Sequence, residues 1–113
     1  MRAEDAGKGI YREQFDVCTA RAVAALPVLA ELCLPFVRVG GRFLAMKSRR
    51  GEEEWESAAR AVARLGGKLV ARHAITLVDG EERDERVIFE IEKVKPTPRE
   101  FPRTYAKICK SPL

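Results

Sequence analysis

Hydrophobic and polar residues follow one another along the chain in blocks that predict alternating strands and helices. The apolar run Phe15–Ala20 predicts a strand covered on both faces, because such strands read as continuous apolar segments. Apolar residues then recur at roughly helical intervals over Ala22–Val37. Pro27 suits a first helical turn, so the helix proper should begin near Leu26, and Pro35 should bend or end it.

The same patterning continues with a strand and a second helix. Gly40 and Gly41 predict a turn into a second buried strand over Arg42–Met46. The stretch Glu52–Leu65 is amphipathic, with acidic residues in its first turns and arginines near its end, which matches the helix dipole. Gly66-Gly67 is typical of a helix cap. The pattern therefore predicts a β-α-β-α unit.

Two further strands complete the predicted order β-α-β-α-β-β. Lys68–Val78 and Glu85–Val94 flank the polar linker Asp79–Asp84, which is most simply a β-hairpin. Four prolines follow, and they predict an extended arm with little regular structure over residues 96–113. The chain should thus consist of an α/β domain over residues 1–95 and a separate C-terminal arm.

Length and composition narrow the class of protein. With 113 residues, 46% hydrophobic and 34% charged, the chain fits one small soluble domain or a piece of one. No apolar run approaches the roughly 20 residues of a membrane span, and the charged N-terminus lacks the apolar segment of a signal peptide. A cytoplasmic location is predicted. The distant cysteines Cys18, Cys33 and Cys109 predict reduced thiols and no metal site.

Charge is spread unevenly along the chain. From Lys93 onward six basic residues face one acid, Glu100, so this segment is +5, while the net charge of +4 leaves −1 for everything before it. A basic segment of this kind is typical of a protein that binds a polyanion such as RNA. A solvated basic tail is the alternative that charge alone leaves open.

Cationic residues stand where the first two predicted strands end. Arg21 follows the first strand and Lys47 follows the second, and ligands of open parallel sheets bind at the carboxyl ends of strands. Two cations there indicate an anionic ligand. The alternatives are that Arg21 pairs with an acid such as Glu4 or Asp16, and that Lys47 simply faces water. His73, the only histidine, has no catalytic partner at a suggestive spacing and is interpreted as structural.

Several sequence segments of the chain also resemble those of a known protein family. The segment FDVCTARAVAALPVLAELCLPFVRVGGRFLAMK, with RAED before it and PRTYAKICKSPL after it, is similar to the bacterial small-subunit rRNA guanine-N7 methyltransferases, RsmG or GidB. The resemblance covers the second half of that family's domain, a class I Rossmann-like sheet, without its glycine-rich donor loop. It implies that Phe15–Ala20 lies at a sheet edge, where it should promote self-association.

The resemblance also implies roles for individual residues. S-adenosylmethionine would be the cofactor, with Ala3, Glu4 and Arg21 as its contacts. RNA would be bound by a second set of residues: Lys47, Arg86, Arg103, Lys107 and Lys110. Arg86 is preferred to Arg83 as the arginine before the last strand. Tyr105 could stack on a base.

The reaction implied is methylation of guanine N7 in 16S ribosomal RNA. Guanine N7 carries an exposed lone pair, so the reaction requires no general base, and no catalytic residue is predicted. Positioning of the reactants supplies the rate. We expect this chain alone to be inactive. Two alternatives remain open: a non-catalytic RNA-binding fragment, and a half-enzyme that needs an N-terminal partner chain.

Overall fold

A computed structural model describes residues 9, 11–21, 25–48 and 51–113 of the chain. Within these residues the elements follow the predicted order β-α-β-α-β-β, with a short helix added at the end. A single 3-10 turn, Leu34–Phe36, follows the first helix. The elements are β1 (Phe15–Arg21), α1 (Leu26–Cys33), β2 (Val37–Ser48), α2 (Gly51–Arg64), β3 (Gly67–Asp79), β4 (Glu82–Lys93) and α3 (Tyr105–Lys110).

The four strands form one mixed sheet in the order β1-β2-β4-β3. Strand β1 is parallel to β2, and β4 is antiparallel to both of its neighbours. The hairpin of β3 and β4 is confirmed, although its strands extend further into the linker than the sequence indicated. The α/β fold class predicted from the sequence is thereby confirmed.

The two faces of this sheet differ in what covers them. Helices α1 and α2 pack on one face, where inward side chains from all four strands meet those of both helices. Alternate residues along each strand point to the opposite face. The buried core comprises Leu26, Leu29, Ala30, Leu34, Val37, Phe43, Ala45, Ala58, Val62, Leu65, Val87, Phe89, Ile91 and Phe101.

Strand β1 lies at the edge of the described sheet, but it is less buried than predicted. Cys18 and Ala20 pack against the core, whereas Val17 on the other face is 53% exposed. The expectation of cover on both faces is therefore wrong for the described part of the chain. The prediction was wrong because the outward-facing residues of β1 are also apolar, and composition alone does not reveal which face of a strand is covered by other parts of the protein.

Gly40 and Gly41 do not form the predicted turn. Strand β2 already begins at Val37 and runs through both glycines. A side chain at Gly41 would lie 2.6 Å from the backbone oxygen of Asp16 on β1, so a residue without Cβ is required for this close approach. The register between β1 and β2 shifts at the same place. The glycines thus permit an irregularity within a strand.

The C-terminal segment is more ordered than an extended arm. Residues 105–110 form helix α3, which packs against α1. Phe101 and Ile108 are buried, and they fix the segment on the helical side of the sheet. The prolines ended regular structure before residue 105 but did not prevent a helix beyond it.

Candidate functional site

Arg21 and Lys47 lie at the same edge of the sheet. Arg21 is the last residue of β1 and is paired in register with Met46, and Lys47 is the next residue along β2. Because the two strands are parallel, their carboxyl ends meet at one edge, as predicted. This edge is the candidate functional site, since ligands of such sheets bind there.

The two cations nevertheless point to opposite faces of the sheet. Lys47 follows the buried positions Phe43 and Ala45 at alternate spacing, and its side chain is 6% exposed. Arg21 is exposed on the face away from the helices. The alternative in which Lys47 faces water is therefore wrong. A single ligand group that contacted both Arg21 and Lys47 would therefore have to pass over the carboxyl ends of β1 and β2.

The surroundings of Arg21 fit an anionic ligand. Asp16, one acid proposed as its partner, instead forms an ion pair with Arg38, so the alternative is wrong for Asp16, while the other acid, Glu4, lies outside the described residues. Within the described residues the Arg21 guanidinium makes no hydrogen bond or ion pair, and a guanidinium carries parallel donors that match a carboxylate. The other predicted cofactor contacts, Ala3 and Glu4, lie outside the described residues.

Arg86 shares the exposed face with Arg21. It begins the buried half of β4, opposite Ser48, and stands two strands from Arg21, roughly 10 Å across the sheet. Its guanidinium donates two hydrogen bonds, of 2.9 and 2.7 Å, to Asp84. Arg83 lies further out along the hairpin and is exposed. Of the two arginines, Arg86 is the nearer to the strand ends.

The predicted RNA-binding residues of the C-terminal segment divide into two kinds. Lys107 and Lys110 are exposed on α3. Arg103 is bound to Glu31 of α1, which is fully buried, through a 2.8 Å contact between Nη2 and Oε1. This bond raises the pKa of Arg103 and holds its guanidinium against the protein. Arg103 therefore has an internal structural role that the sequence did not predict.

The opposite end of the sheet is built around Lys93, which is fully buried. Its Nζ donates hydrogen bonds to the backbone oxygens of Leu34 at 2.8 Å and Val37 at 3.0 Å, and lies 3.7 Å from Oε1 of Glu13. Burial lowers the pKa of Lys93 to about 8, and the nearby Glu13 carboxylate opposes that shift. Lys93 thus stabilises the fold by joining β4 to the start of β2 and to Glu13, and its ammonium group is buried away from any ligand.

Arg12 and Glu13 extend this anchor to the C-terminal segment. Arg12 donates hydrogen bonds to the backbone oxygens of Phe101, Thr97 and Pro98, at 2.6, 2.7 and 2.9 Å. Glu13 accepts one from the backbone N–H of Thr97 at 2.8 Å. The chain just before β1 thus holds the chain just after β4.

Polar groups on the exposed face of the sheet form a ladder. Glu90 accepts hydrogen bonds from Arg42 at 3.1 Å and contacts His73 at 2.9 Å, and these contacts lower the pKa of Glu90, His73 most strongly. His73 therefore has a cross-strand partner, Glu90, which the sequence interpretation of His73 as structural did not name. The three cysteines are free thiols. No group of three potential metal ligands occurs among the residues that the structure describes.

Two internal contacts were missed by sequence reasoning, yet each has a signal in the sequence. Glu31 is the only charged residue in the apolar helix LPVLAELC, which is typical of a buried carboxylate with a partner. Lys93 continues the alternation Val87, Phe89, Ile91, so its side chain falls on the inward face of β4. A single charged residue among apolar ones on the same face of a helix or strand therefore indicates a buried charge with an internal partner.

Comparison with known proteins agrees with the architecture. The family model described as GidB, rRNA small subunit methyltransferase G, matches residues 1–83. Ribosomal RNA small subunit methyltransferase G from Staphylococcus aureus strain Newman is 51% identical over 112 residues, covering 99% of this chain and 46% of that protein. The protein of the same name from Staphylococcus aureus strain COL matches equally. The chain spans about half the length of these curated relatives.

These matches cover the elements that build both the sheet and its carboxyl edge. The family model extends from the start of the chain through β3, and the relatives extend to the C-terminal segment. None of the helices in the described part of the chain has the length and apolar character needed to span a bilayer. The chain belongs to the GidB family of rRNA small subunit methyltransferases G.

Proposed function

We propose that the chain acts in the methylation of guanine N7 in 16S ribosomal RNA, with S-adenosylmethionine as the methyl donor, in the bacterial cytoplasm. Its membership of the GidB family is the observation that carries this proposal. The exposed Arg21 at the strand end supports the cofactor part, because a guanidinium can hold a carboxylate through two parallel hydrogen bonds.

The residues present fit part of a donor pocket. S-adenosylmethionine, when bound, supplies an electrophilic methyl group and carries a carboxylate at its other end. Arg21 would hold that carboxylate at the edge of β1, and we propose Ala3 and Glu4 as further contacts. Lys47, on the helical side of the same edge, would hold an RNA phosphate and bring the base to the edge. No side chain has to remove a proton, since N7 already presents a lone pair.

Cations outside the strand ends support an RNA partner. Lys95, Arg99, Lys107 and Lys110 are all exposed in the C-terminal segment, with one acid, Glu100, among them. We propose that Lys107 and Lys110 contact phosphates there, with Arg86 doing so at the carboxyl edge. Arg103 remains a candidate contact through the part of its side chain that is 22% exposed.

We further propose that β1 pairs with another strand along its outer edge. Strand β1 lies at the edge of the described sheet, its apolar residues Phe15 and Val17 are 44% and 53% exposed, and exposed apolar edge strands invite pairing. In the complete enzyme that neighbour would come from the N-terminal half of the domain, in the same chain or in a partner chain. In its absence we expect Phe15–Ala20 to cause self-association and the chain alone to be inactive.

Isothermal titration with S-adenosylhomocysteine tests the cofactor proposal. A chain shown to be folded by circular dichroism should bind one equivalent, and Arg21→Ala should weaken binding at least tenfold because the carboxylate loses its partner. Arg38→Ala is the matched control, since Arg38 is also an exposed arginine but lies away from the carboxyl edge. Equal losses in both variants, or no binding by the folded chain, would contradict a working cofactor site in this form.

A second candidate is a non-catalytic RNA-binding module, favoured by the exposed cations around α3. It predicts RNA affinity that falls with salt and does not change when S-adenosylhomocysteine is added. The methyltransferase proposal instead predicts that methyl transfer appears when the N-terminal half of a relative is co-expressed with this chain. Rescue of methyl transfer would reject the purely RNA-binding role.

A further inference from the structure

We infer that Glu31 is a positioning residue that sets where the lysines of α3 meet RNA. This inference rests on the proposed RNA-binding function. Glu31 is a fully buried carboxylate on α1, remote in sequence from the basic segment it would control. A negative charge near a basic segment would by simple electrostatics weaken RNA binding. We expect Glu31 instead to strengthen RNA binding, because its contacts hold the basic segment in place.

The carboxylate of Glu31 grips Arg103 at both its side chain and its backbone. The backbone N–H of Arg103 donates to Oε2 at 2.7 Å, Nη2 donates to Oε1 at 2.8 Å, and Nε contacts both oxygens at 3.0 and 3.2 Å. Bidentate contacts of this type fix orientation as well as distance. A carboxylate buried without such a cation would be strongly unfavourable.

The same guanidinium also holds the far end of α3. Nη2 of Arg103 donates to the backbone oxygen of Ser111 at 2.9 Å, directly after the last residue of the helix. Ile108 points inward and is fully buried. The contacts that hold α3 on the body of the protein therefore include the buried Ile108 and the guanidinium of Arg103, whose own position is set by Glu31.

The exposed residues of α3 follow from that arrangement. Lys107 and Lys110 flank Ile108, so any rotation of α3 around its buried side chain moves both ammonium groups. Upstream, Arg12 fixes the backbone at Phe101, and Glu31 fixes it again at the N–H of Arg103, directly before α3. Glu31 therefore acts through Arg103 on residues that it does not touch.

The experiment compares two variants that remove one negative charge each. Glu31→Gln removes the positioning carboxylate, while Glu100→Gln removes the exposed acid of the same basic segment. Binding of a short fluorescein-labelled RNA hairpin is measured by fluorescence anisotropy at several salt concentrations. We expect Glu31→Gln to weaken binding about threefold to tenfold and Glu100→Gln to leave it equal or slightly tighter.

A charge-conserving variant separates positioning from direct contact. Arg103→Lys keeps the positive charge but cannot form the two-pronged contact with Glu31. If Arg103 acts by holding α3, this variant should weaken RNA binding as Glu31→Gln does. If Arg103 instead contacts a phosphate as a simple charge, Arg103→Lys should bind RNA as the parent chain does, and the inference would be overturned.

Hydrogen exchange supplies a readout that does not involve RNA. The amides of Ile108 and Ser111 donate to the oxygens of Thr104 and Lys107 within α3. Glu31→Gln should accelerate exchange at both, with little change in the amides of β4. Unchanged exchange, or an RNA affinity that rises as in Glu100→Gln, would reject the inference.

The failure of the inference can be told apart from failure of the proposed function. Lys107→Gln with Lys110→Gln should reduce the slope of log affinity against log salt by about two. If that double variant loses affinity but Glu31→Gln does not, RNA binding stands and positioning by Glu31 fails. If the parent chain binds no RNA, both are rejected.

Discussion

The two ends of the sheet use the same kind of residue for different purposes. At the carboxyl end of β1, Arg21 is exposed and the described residues give its guanidinium no partner. At the other end, Lys93 is fully buried and its ammonium group is bound by two backbone oxygens and a carboxylate. A positive charge is thus exposed at one end of the sheet and stabilises the fold at the other.

This difference shows that charge type is a poor guide to role and that the neighbouring acceptors decide it. The ammonium group of Lys93 satisfies the backbone oxygens of Leu34 and Val37 around the turn before β2. Arg21, at the last position of β1, has no side-chain acceptor among the described residues. The largest effect is expected when each cation is removed in turn and the losses in the free energy of unfolding at the two ends of the sheet are compared.

Lys93→Met should destabilise the chain by about 4 kcal/mol, because two carbonyl oxygens and the Glu13 carboxylate lose their partner in a buried site. Arg21→Ala, at an exposed position, should change the free energy of unfolding by less than about 0.5 kcal/mol. Urea denaturation followed by circular dichroism measures both. A comparable loss in the two variants would break the contrast between the ends.

Two glycines sharpen the same comparison with a smaller effect. Gly66 ends α2 near Lys93 with φ +91, and a Cβ there would lie 2.2 Å from the backbone oxygen of Lys95. Gly80 has φ +63 at the tip of the hairpin, where nothing lies within 4 Å. Gly66→Ala should therefore cost about 3 kcal/mol and Gly80→Ala about 1 kcal/mol.

The melting temperatures of the two glycine variants provide the measurement. Since both alanines must adopt a left-handed backbone conformation, the difference between the variants reports the crowding at the Lys93 end alone. Equal shifts in melting temperature would mean that the chain near Lys95 moves aside without penalty, and that this end is less tightly packed than the structure indicates.

The smallest of the three effects is a pH dependence. The pKa of Lys93 is lowered to about 8 in the folded chain, below its ordinary value of 10.5, so the unfolded chain binds more protons between these limits. Stability should then rise with pH in that window, by about 2 kcal/mol at pH 9.5 relative to pH 7. Subtracting the same titration of Lys93→Met isolates this contribution, and a flat difference would contradict the assignment.

Sequence patterns predicted most of the fold because the strands and helices carry strong periodic signals. The order of the elements, the start of α1 at Leu26 and the hairpin are all confirmed. Arg21 and Lys47 were placed at one edge for the same reason, since each follows an apolar strand directly. Local pattern suffices where the information needed is local.

The remaining features depend on contacts that no local pattern records. Whether Lys47 and Arg21 share a face depends on the register between β1 and β2, which shifts near Gly41. The bond between Glu31 and Arg103 joins residues 72 positions apart. The helix α3 forms in a proline-rich segment because Ile108 finds a buried site on the body of the protein.

The bond between Glu31 and Arg103 also bears on how the protein tolerates cleavage and mutation beyond β4. Proteolysis between β4 and Arg103 would remove the arginine and leave a buried carboxylate without its cation in helix α1. Such a cut in an exposed segment should then destabilise the protein as a core mutation does. For the same reason, substitutions at positions 31 and 103 should be tolerated mainly as a pair over evolutionary time.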